Sequence, residues 1–475
     1  MQPTLGTFYE ALTGYKRTGK EPLISEVVVD SREATPGSLF VALLGERVDG
    51  SEFVGDAIQR GAIAALTNRM PQGIETAEIN ITNAGAKAIE QWDGTLPVCI
   101  VVDDSVDAMQ KAAASWRSQF DVQVIGITGS VGKSSTKEMT HAVLSQRFNT
   151  FKSPGNRNSI LGLPAAIFGL RPEHERAVLE MGMYSTGEIQ SLCEMTQPRI
   201  GVVTIIGPVH LERAGSMETI VAAKQELVEA LPEDGTAILN QDDERVLAMA
   251  EHTRARVFTY GLDQNADVWA DSIHSMGLNG VRFTLHHGHE ALSMGIPMLG
   301  RHSVHTALRA TAVGLVEKLS WEEISAGLSE ASTAQFRLEA VPGPNGSTII
   351  DDTYNSSPDS ALAALNLLSE LNGRRFAVLG DMLELGAAED QSHRLVGRRA
   401  YDVADLLVAV GPRARIIAEE AQNVGMPAQA VLWVEEATDV IHILEQTIVE
   451  GDMVLIKGSY GMRMDRIVAA IGRAD

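Results

Sequence analysis

The 475-residue chain holds only two cysteines, Cys99 and Cys193. They lie far apart in sequence, which argues against a disulfide framework and a cysteine-ligated zinc site; a reducing compartment is expected. No apolar run reaches the length that spans a bilayer, and the opening MQPTLGTFYEALTGYKRTG lacks the apolar core of a secretion signal. A cytoplasmic protein without membrane insertion is the expectation. Positive charge is scarce as well: 39 Lys and Arg stand against 62 Asp and Glu, a formal net charge of -23. That balance opposes general binding to nucleic acid, so a polyphosphate ligand must be gripped by a local site. Tandem repeats and low-complexity tracts are also missing.

What is present is a succession of short apolar runs, RAVLEMGM, RIGVVTIIG, TAILN, RRFAVLGDM, DLLVAVG and DMVLIKGS, separated by longer amphipathic segments such as SMETIVAAKQELVEAL and DSALAALNLLSELNG. Buried strands alternating with helices imply parallel sheets covered on both faces, an α/β class. Three divisions are expected. Residues 1–104 form a small N-terminal α/β domain that ends after the strand-like PVCIVVDD. Residues 105–333 form a central P-loop domain with a mainly parallel sheet, entered through the helix-like DAMQKAAASWRSQF. Residues 334–475 open near VPGPNGST and form a Rossmann-like domain.

The stretch VIGITGSVGKSSTKEM, Val124 to Met139, joins a buried strand to a helix through Gly126, Gly129 and Gly132. Glycines let backbone N–H groups approach a polyphosphate, and the positive end of the following helix adds to the attraction. Gly129, Ser130, Val131, Gly132, Lys133, Ser134 and Ser135 are the expected ATP cradle, with Lys133 reaching the terminal phosphates and the Ser134 hydroxyl ligating Mg2+. One position departs from the common P-loop pattern: Ile127 stands where that pattern has glycine. Nucleotide binding by itself leaves a kinase, a switch and a ligase open.

The shifted glycines resemble those of the Mur ligase superfamily, ATP-dependent enzymes that join a carboxylate to an amine. DSREATPGSLFVALLGERVDGSEF resembles the family's uridine-diphosphate domain, and SPGNRNSILGLP, VLEMGM, GPVHLERAGSMETIVAAKQEL and LNQDDERV resemble its ATPase domain. GRHSVHTALRA, FRLEAVPGPNGSTIIDDTYNSSPDSALAAL, AVLGDMLELG with a later His393, and VLIKGSYGMRMDRIV are similar to the branch that adds D-alanyl-D-alanine. The resemblance implies a monomeric ligase acting on UDP-N-acetylmuramoyl-tripeptide and D-alanyl-D-alanine through an acyl phosphate. A third-residue-adding or folylpolyglutamate-type ligase, and a noncatalytic P-loop module, remain the alternatives. Ser159, Ser303, Thr306 and Ser357 stand where the family usually has asparagine, and Ser51 and Tyr460 where it often has histidine or arginine.

The same resemblance implies roles for particular residues. Glu180, ending the strand-like RAVLE, and His210, in GPVHLE, are placed at metal ions with Ser134. Asn240, followed by Asp242 and Asp243, belongs to the adenine side, although Asn-Gln-Asp-Asp also reads as a plain turn. Arg337 and Asp352 are placed at ATP, and Ser31, Arg32, Asn156, Tyr354, Asn355 and Lys457 at the substrates. Lys224 falls at the lysine that several family members carry as a carbamate. Helical spacing also allows it to be a solvated surface lysine, with Val221, Leu227 and Val228 facing the core.

Overall fold

The computed structural model describes residues 2–17, 21–45, 48–209, 211–331 and 338–472. His210 and Arg337, and the expected boundary after residue 333, therefore lie outside the described residues. The chain gathers into two compact units, Met1–Gly126 with Phe148–Met183 and Gly187–Arg199, and Ile127–Arg147 with Tyr184–Thr186 and Ile200–Asp475. Among the described residues no helix is long and apolar enough to cross a membrane.

The first unit carries a five-stranded sheet in the order Val27–Val28, Leu39–Val41, Ala64–Thr67, Val98–Val101, Ala77–Asn80, and every neighbouring pair is parallel. Four of its short strands are buried on both faces, as continuous apolar runs require, while the edge strand Ala77–Asn80 is largely accessible. The helix Ser105–Arg117 follows, started by Asp104, whose carboxylate accepts the N–H groups of Val106 and Asp107. Thr150–Lys152 pairs in parallel with Arg176–Glu180 in the same unit.

In the second unit Thr236–Asn240 lies between Ile200–Val203 and Arg256–Gly261, parallel to both. The ladder then turns antiparallel through Val268–Ser275, Val281–His287 and Glu290–Ile296. This meander is the one marked departure from the parallel pattern expected of the central region. The C-terminal sheet has six strands in the order Glu339–Pro342, Thr348–Asp352, Met453–Lys457, Arg375–Gly380, Leu406–Val410, Val431–Val434. Only its first pair is antiparallel. The last strand in sequence is inserted between two earlier ones, which makes a topological switch point, and such sheets present ligand-binding groups at the carboxyl ends of those strands. Asp352 and Lys457 end two adjacent strands there and are register partners.

Candidate functional site

The strand Gln123–Thr128 delivers the chain into the glycine loop, and the helix Lys133–Leu144 leaves it with no acidic residue in its first turn. Gly129 adopts φ +139, and a Cβ there would stand 1.9 Å from Thr204 Oγ1, so only glycine fits. Gly132 caps the helix at φ +86. The loop is held by the segment that follows Ile200–Val203. Thr204 Oγ1 donates to Val131 O at 2.7 Å, Ser130 N donates to Ile205 O at 2.7 Å, and the Ser130 hydroxyl exchanges bonds of 2.9 Å with the carbonyl and N–H of Gly207. Ser130 thus anchors the loop with both its amide and its side chain. Thr204 in turn is fixed by Asn240 Nδ2 and the Tyr260 hydroxyl, which donate to its carbonyl at 3.2 Å and 2.7 Å.

Two lysines converge on this backbone. Lys133 Nζ donates to Gly129 O at 2.8 Å and Ser130 O at 3.2 Å, and Lys224 Nζ donates to Gly129 O at 3.0 Å. Lys224 is 2 % exposed, in the middle of the stripe Ile220, Ala223, Lys224, Leu227, Val228 that the helix Met217–Glu229 turns inward. The solvated-surface alternative is therefore wrong. Burial, and then the nearby Lys133 charge, hold the Lys224 ammonium well below the ordinary lysine range, so the neutral amine is favoured. Ser134 is buried in the first turn of the loop helix, with Ser135 beside it in sequence half-buried.

Asp242 and Asp243 do turn work. Asp242 accepts from the Leu262 and Asp263 N–H groups and pairs with His305 Nε2 at 2.9 Å. Asp243 caps the helix Glu244–Ala248 and accepts Ile206 N–H at 2.9 Å, bracing the segment that holds the loop.

At the switch point of the C-terminal sheet, Lys457 Nζ donates to Asp352 Oδ2 at 2.7 Å and to Asn355 O at 2.8 Å, with Lys457 1 % exposed. The buried lysine thereby ties the end of the strand Thr348–Asp352 to the Tyr354–Asn355 turn. The Tyr354 ring lies 6.2 Å from that of the exposed Tyr460. Ser357 caps the helix Pro358–Glu370 through a reciprocal pair with Ser360. A serine at this usual asparagine position keeps the capping chemistry. Ser357→Ala is expected to cost about 1 kcal/mol, read as a lower urea midpoint, whereas Ser357→Asn stays near wild type.

The LGDMLELG loop lies between two anchors. Asp381 accepts the Ala414 N–H at 2.7 Å, and the buried His393 accepts the Met382 N–H at Nε2, 3.2 Å, while its Nδ1 faces Glu389 O at 2.8 Å. Those partners make Nδ1 the protonated nitrogen of a neutral ring. At the loop's tip Glu384 O accepts the Glu212 N–H at 3.2 Å, which joins the loop to the segment GPVHLERAG. Burial lowers the His393 pKa from its usual 6.5, against the opposing pull of Asp381 and Glu389 and with a smaller lowering from Arg413. Above that pH both folded and unfolded histidine are neutral; as pH falls through it, the unfolded chain takes a proton that the folded chain refuses. Stability should therefore drop on acidification from pH ~7 to ~5, with His393→Gln giving a shallower loss of melting temperature over that window.

The first unit holds the other singled-out residues. Ser31 and Arg32 form a tight turn, Ser31–Glu33, in which Arg32 is exposed and paired with Asp30. Asn156 is exposed. Glu180 is 1 % exposed, its N–H donating to Ser153 Oγ at 3.2 Å and its Oε1 accepting from Asn158 Nδ2 at 2.8 Å. Asn158 rather than Asn156 reaches the buried carboxylate, and its neighbour Arg157 reaches Glu33 at 3.0 Å, so one short loop bridges from the Ser31–Arg32 turn to Glu180. Ser159 Oγ accepts the Gly162 N–H at 3.1 Å, and Ser51 accepts from Arg69 Nε at 3.1 Å. In the second unit Ser303 donates to Leu299 O and Thr306 accepts from Arg309. Asn158 and Arg309 lie inside the stretches SPGNRNSILGLP and GRHSVHTALRA without being singled out there, and Thr204 lies in the apolar run RIGVVTIIG.

Family models match three successive parts of the chain: the Mur ligase family catalytic domain at residues 23–117, the Mur ligase middle domain at 127–314, and the Mur ligase glutamate ligase domain at 336–460. The UDP-N-acetylmuramoyl-tripeptide--D-alanyl-D-alanine ligase of Bacillus subtilis (strain 168) is 34 % identical over 458 residues, covering 94 % of this chain and 93 % of its own length. A crystal structure of MurF from Acinetobacter baumannii superimposes with a TM-score of 0.82 at 30 % identity, covering 98 % of both chains. A MurF ligase from Thermotoga maritima in complex with ADP gives a TM-score of 0.77 at 25 % identity over 94 % of this chain and 96 % of that one.

Proposed function

The chain belongs to the Mur ligase family, and on that premise we propose that it joins D-alanyl-D-alanine to UDP-N-acetylmuramoyl-tripeptide at the expense of ATP, in peptidoglycan precursor synthesis. The observation that carries the reading is the glycine loop with Lys133 and Lys224 both on the Gly129 carbonyl. A bare phosphate-binding turn needs one lysine; a second, buried and with its charged form disfavoured, supports chemistry on the bound nucleotide. ATP and uridine nucleotides are supplied in the cytoplasm, which supports that location.

The chemistry follows from the substrates. A carboxylate is a poor electrophile, so one of its oxygens attacks the γ-phosphorus of ATP and ADP leaves. The amine of D-alanyl-D-alanine then attacks the acyl carbon, phosphate departs with the carboxylate oxygen, and the ammonium protons pass to solvent. Two anions must meet in the first step, so cations at the loop decide the rate. Lys133 is assigned to the transferring phosphoryl group, and Gly129, Val131, Gly132, Ser134 and Ser135 to cradling the phosphates, with Asn240 on the base side. Among the described residues no group of three His, Cys, Asp or Glu stands together as a metal cage. That suits Mg2+, which takes one or two protein oxygens and completes its shell with water and phosphate. Ser134, Glu180 and His210 are assigned to hold it, and bound Mg2+ would offset phosphate charge. Arg337 and Asp352 are assigned to ATP, the latter positioned by Lys457. Tyr354 and Asn355 are assigned to the dipeptide, and Ser31, Arg32 and Asn156 to the uridine-diphosphate substrate. The division at residues 104 and 333 is kept as part of this reading.

Incubation with ATP, Mg2+, the UDP-tripeptide and D-alanyl-D-alanine, followed by mass spectrometry, tests it. One ADP and one phosphate per product, with the product mass equal to both substrates less one water, is expected. Phosphate release without a joined product rejects the ligase, and joining of single amino acids in preference to the dipeptide moves the chain to another branch of the family.

A further inference from the structure

Among the described residues of the second unit, the buried cations that the assignments above leave unused include Lys137, which pairs with Glu138, and Arg309, which does not pair with a carboxylate. Arg309, in the helix Val304–Val316, is 3 % exposed. Its Nη2 donates to Thr306 Oγ1 at 2.9 Å, its Cζ stands 5.7 Å from the Tyr260 ring centroid, and its Nε is buried without a partner. Among the described residues no carboxylate pairs with it. A guanidinium cannot shed its charge, so burial against the neutral Thr306 hydroxyl and the neutral phenol of Tyr260 leaves it undercompensated.

The guanidinium also stands against the glycine loop, with Nη2 nearest. A Cβ built on Gly132 would lie 3.1 Å from Arg309 Nη2 and 3.7 Å from Cζ and Nη1. Lys133 and Lys224 meet the loop at Gly129 and Ser130, so Arg309 approaches from the other end. Lys133 and Arg309 bracket four residues of backbone with positive charge, at the N-terminus of a helix and in a chain of net charge -23, an arrangement complementary to a polyanion.

We propose that Arg309 is a nucleotide-binding residue, whose guanidinium donates to phosphate oxygens of ATP and ADP and is oriented by Thr306. The proposal rests on reading Gly129–Ser135 as the phosphate loop. Thr306 and the packed helix hold the guanidinium in place, so it acts on bound nucleotide before and after transfer alike. Its removal should raise the Kd for ADP and the KM for ATP without a matching fall in kcat, unlike removal of Lys133.

Calorimetric titration with Mg2+ and ADP, and steady-state kinetics in ATP, on wild type, Arg309→Met, Arg309→Lys and Lys133→Ala test this. Arg309→Met should weaken ADP binding about tenfold or more, in line with loss of a charge-assisted contact, and flatten its salt dependence. Arg309→Lys should recover part of the loss, and the ligand-free melting temperature of the methionine variant should not fall. ADP affinity in folded Arg309→Met equal to wild type overturns the proposal. If that variant does not fold, Thr306→Val and Arg309→Lys carry the test: several-fold weaker ADP binding in both supports it, and unchanged binding in both overturns it. Wild type failing to bind ADP would overturn the loop reading and this proposal together. Weakened ADP binding in Lys133→Ala with none in the Arg309 variants would overturn this proposal alone.

Discussion

Lys133→Ala is expected to lower kcat by about 10³-fold or more while the circular dichroism spectrum and melting temperature remain those of the wild type. The side chain is half-buried and donates to two loop carbonyls, Gly129 O at 2.8 Å and Ser130 O at 3.2 Å. Neither is a packing contact in a core. The loop keeps its own shape without the ammonium, because Thr204, Ser130 and Gly207 hold it by separate hydrogen bonds. On the proposed mechanism, the variant would lose the positive charge assigned to offset repulsion between the tripeptide carboxylate and the γ-phosphate, an effect expected to concentrate in the transition state. Stopped or steady-state phosphate release measures it, and activity within tenfold of wild type would remove Lys133 from the chemistry.

Lys224→Ala is expected to lose activity on a similar scale, and the reason is different. Burial among Ile220, Ala223, Leu227 and Val228, with Lys133 close by, favours the neutral amine. A neutral amine adds to carbon dioxide, releasing one proton and leaving a carbamate, an anionic oxygen pair in place of a cation. Such a group would relieve the crowding of positive charge at the loop and supply oxygen to a hard metal ion. Acetate or formate should then restore part of the activity of Lys224→Ala. Carbon-13-labelled bicarbonate should give wild type a carbamate carbonyl resonance that the variant lacks. An alanine variant as active as wild type, or no carbamate signal in fully liganded enzyme, would contradict the modification.

The glycine loop, the α/β class and the strands ending in Glu180, Asn240, Asp352 and Lys457 were legible because each is a local pattern: an apolar run, then a polar or glycine residue at its carboxyl end. Lys224 was only half legible. The periodicity Ile220, Ala223, Leu227 places it inside the apolar stripe, yet a lysine among those residues equally suits the edge of a solvated face until the neighbouring loop is seen. Thr204 escaped notice because its importance is entirely tertiary, its hydroxyl meeting Val131 O across 73 residues of sequence. Asn158 reaches Glu180, and Arg309 comes close to Gly132, through folding rather than through sequence spacing. The antiparallel strands from Val268 to Ile296 were missed because exposed polar residues interrupt them, in VRFTLHH and EALSMGI, and shorten their apolar signal.

The central claim is that the tripeptide carboxylate becomes an acyl phosphate on this enzyme, and isotope transfer tests it most directly. UDP-tripeptide labelled with oxygen-18 in its terminal carboxylate is turned over with ATP and D-alanyl-D-alanine in unlabelled water, and the released phosphate is analysed by mass. The account predicts one labelled oxygen in each phosphate formed with fully labelled substrate, and one retained in the new amide. Phosphate carrying only solvent or ATP oxygen, while product still forms, would contradict it.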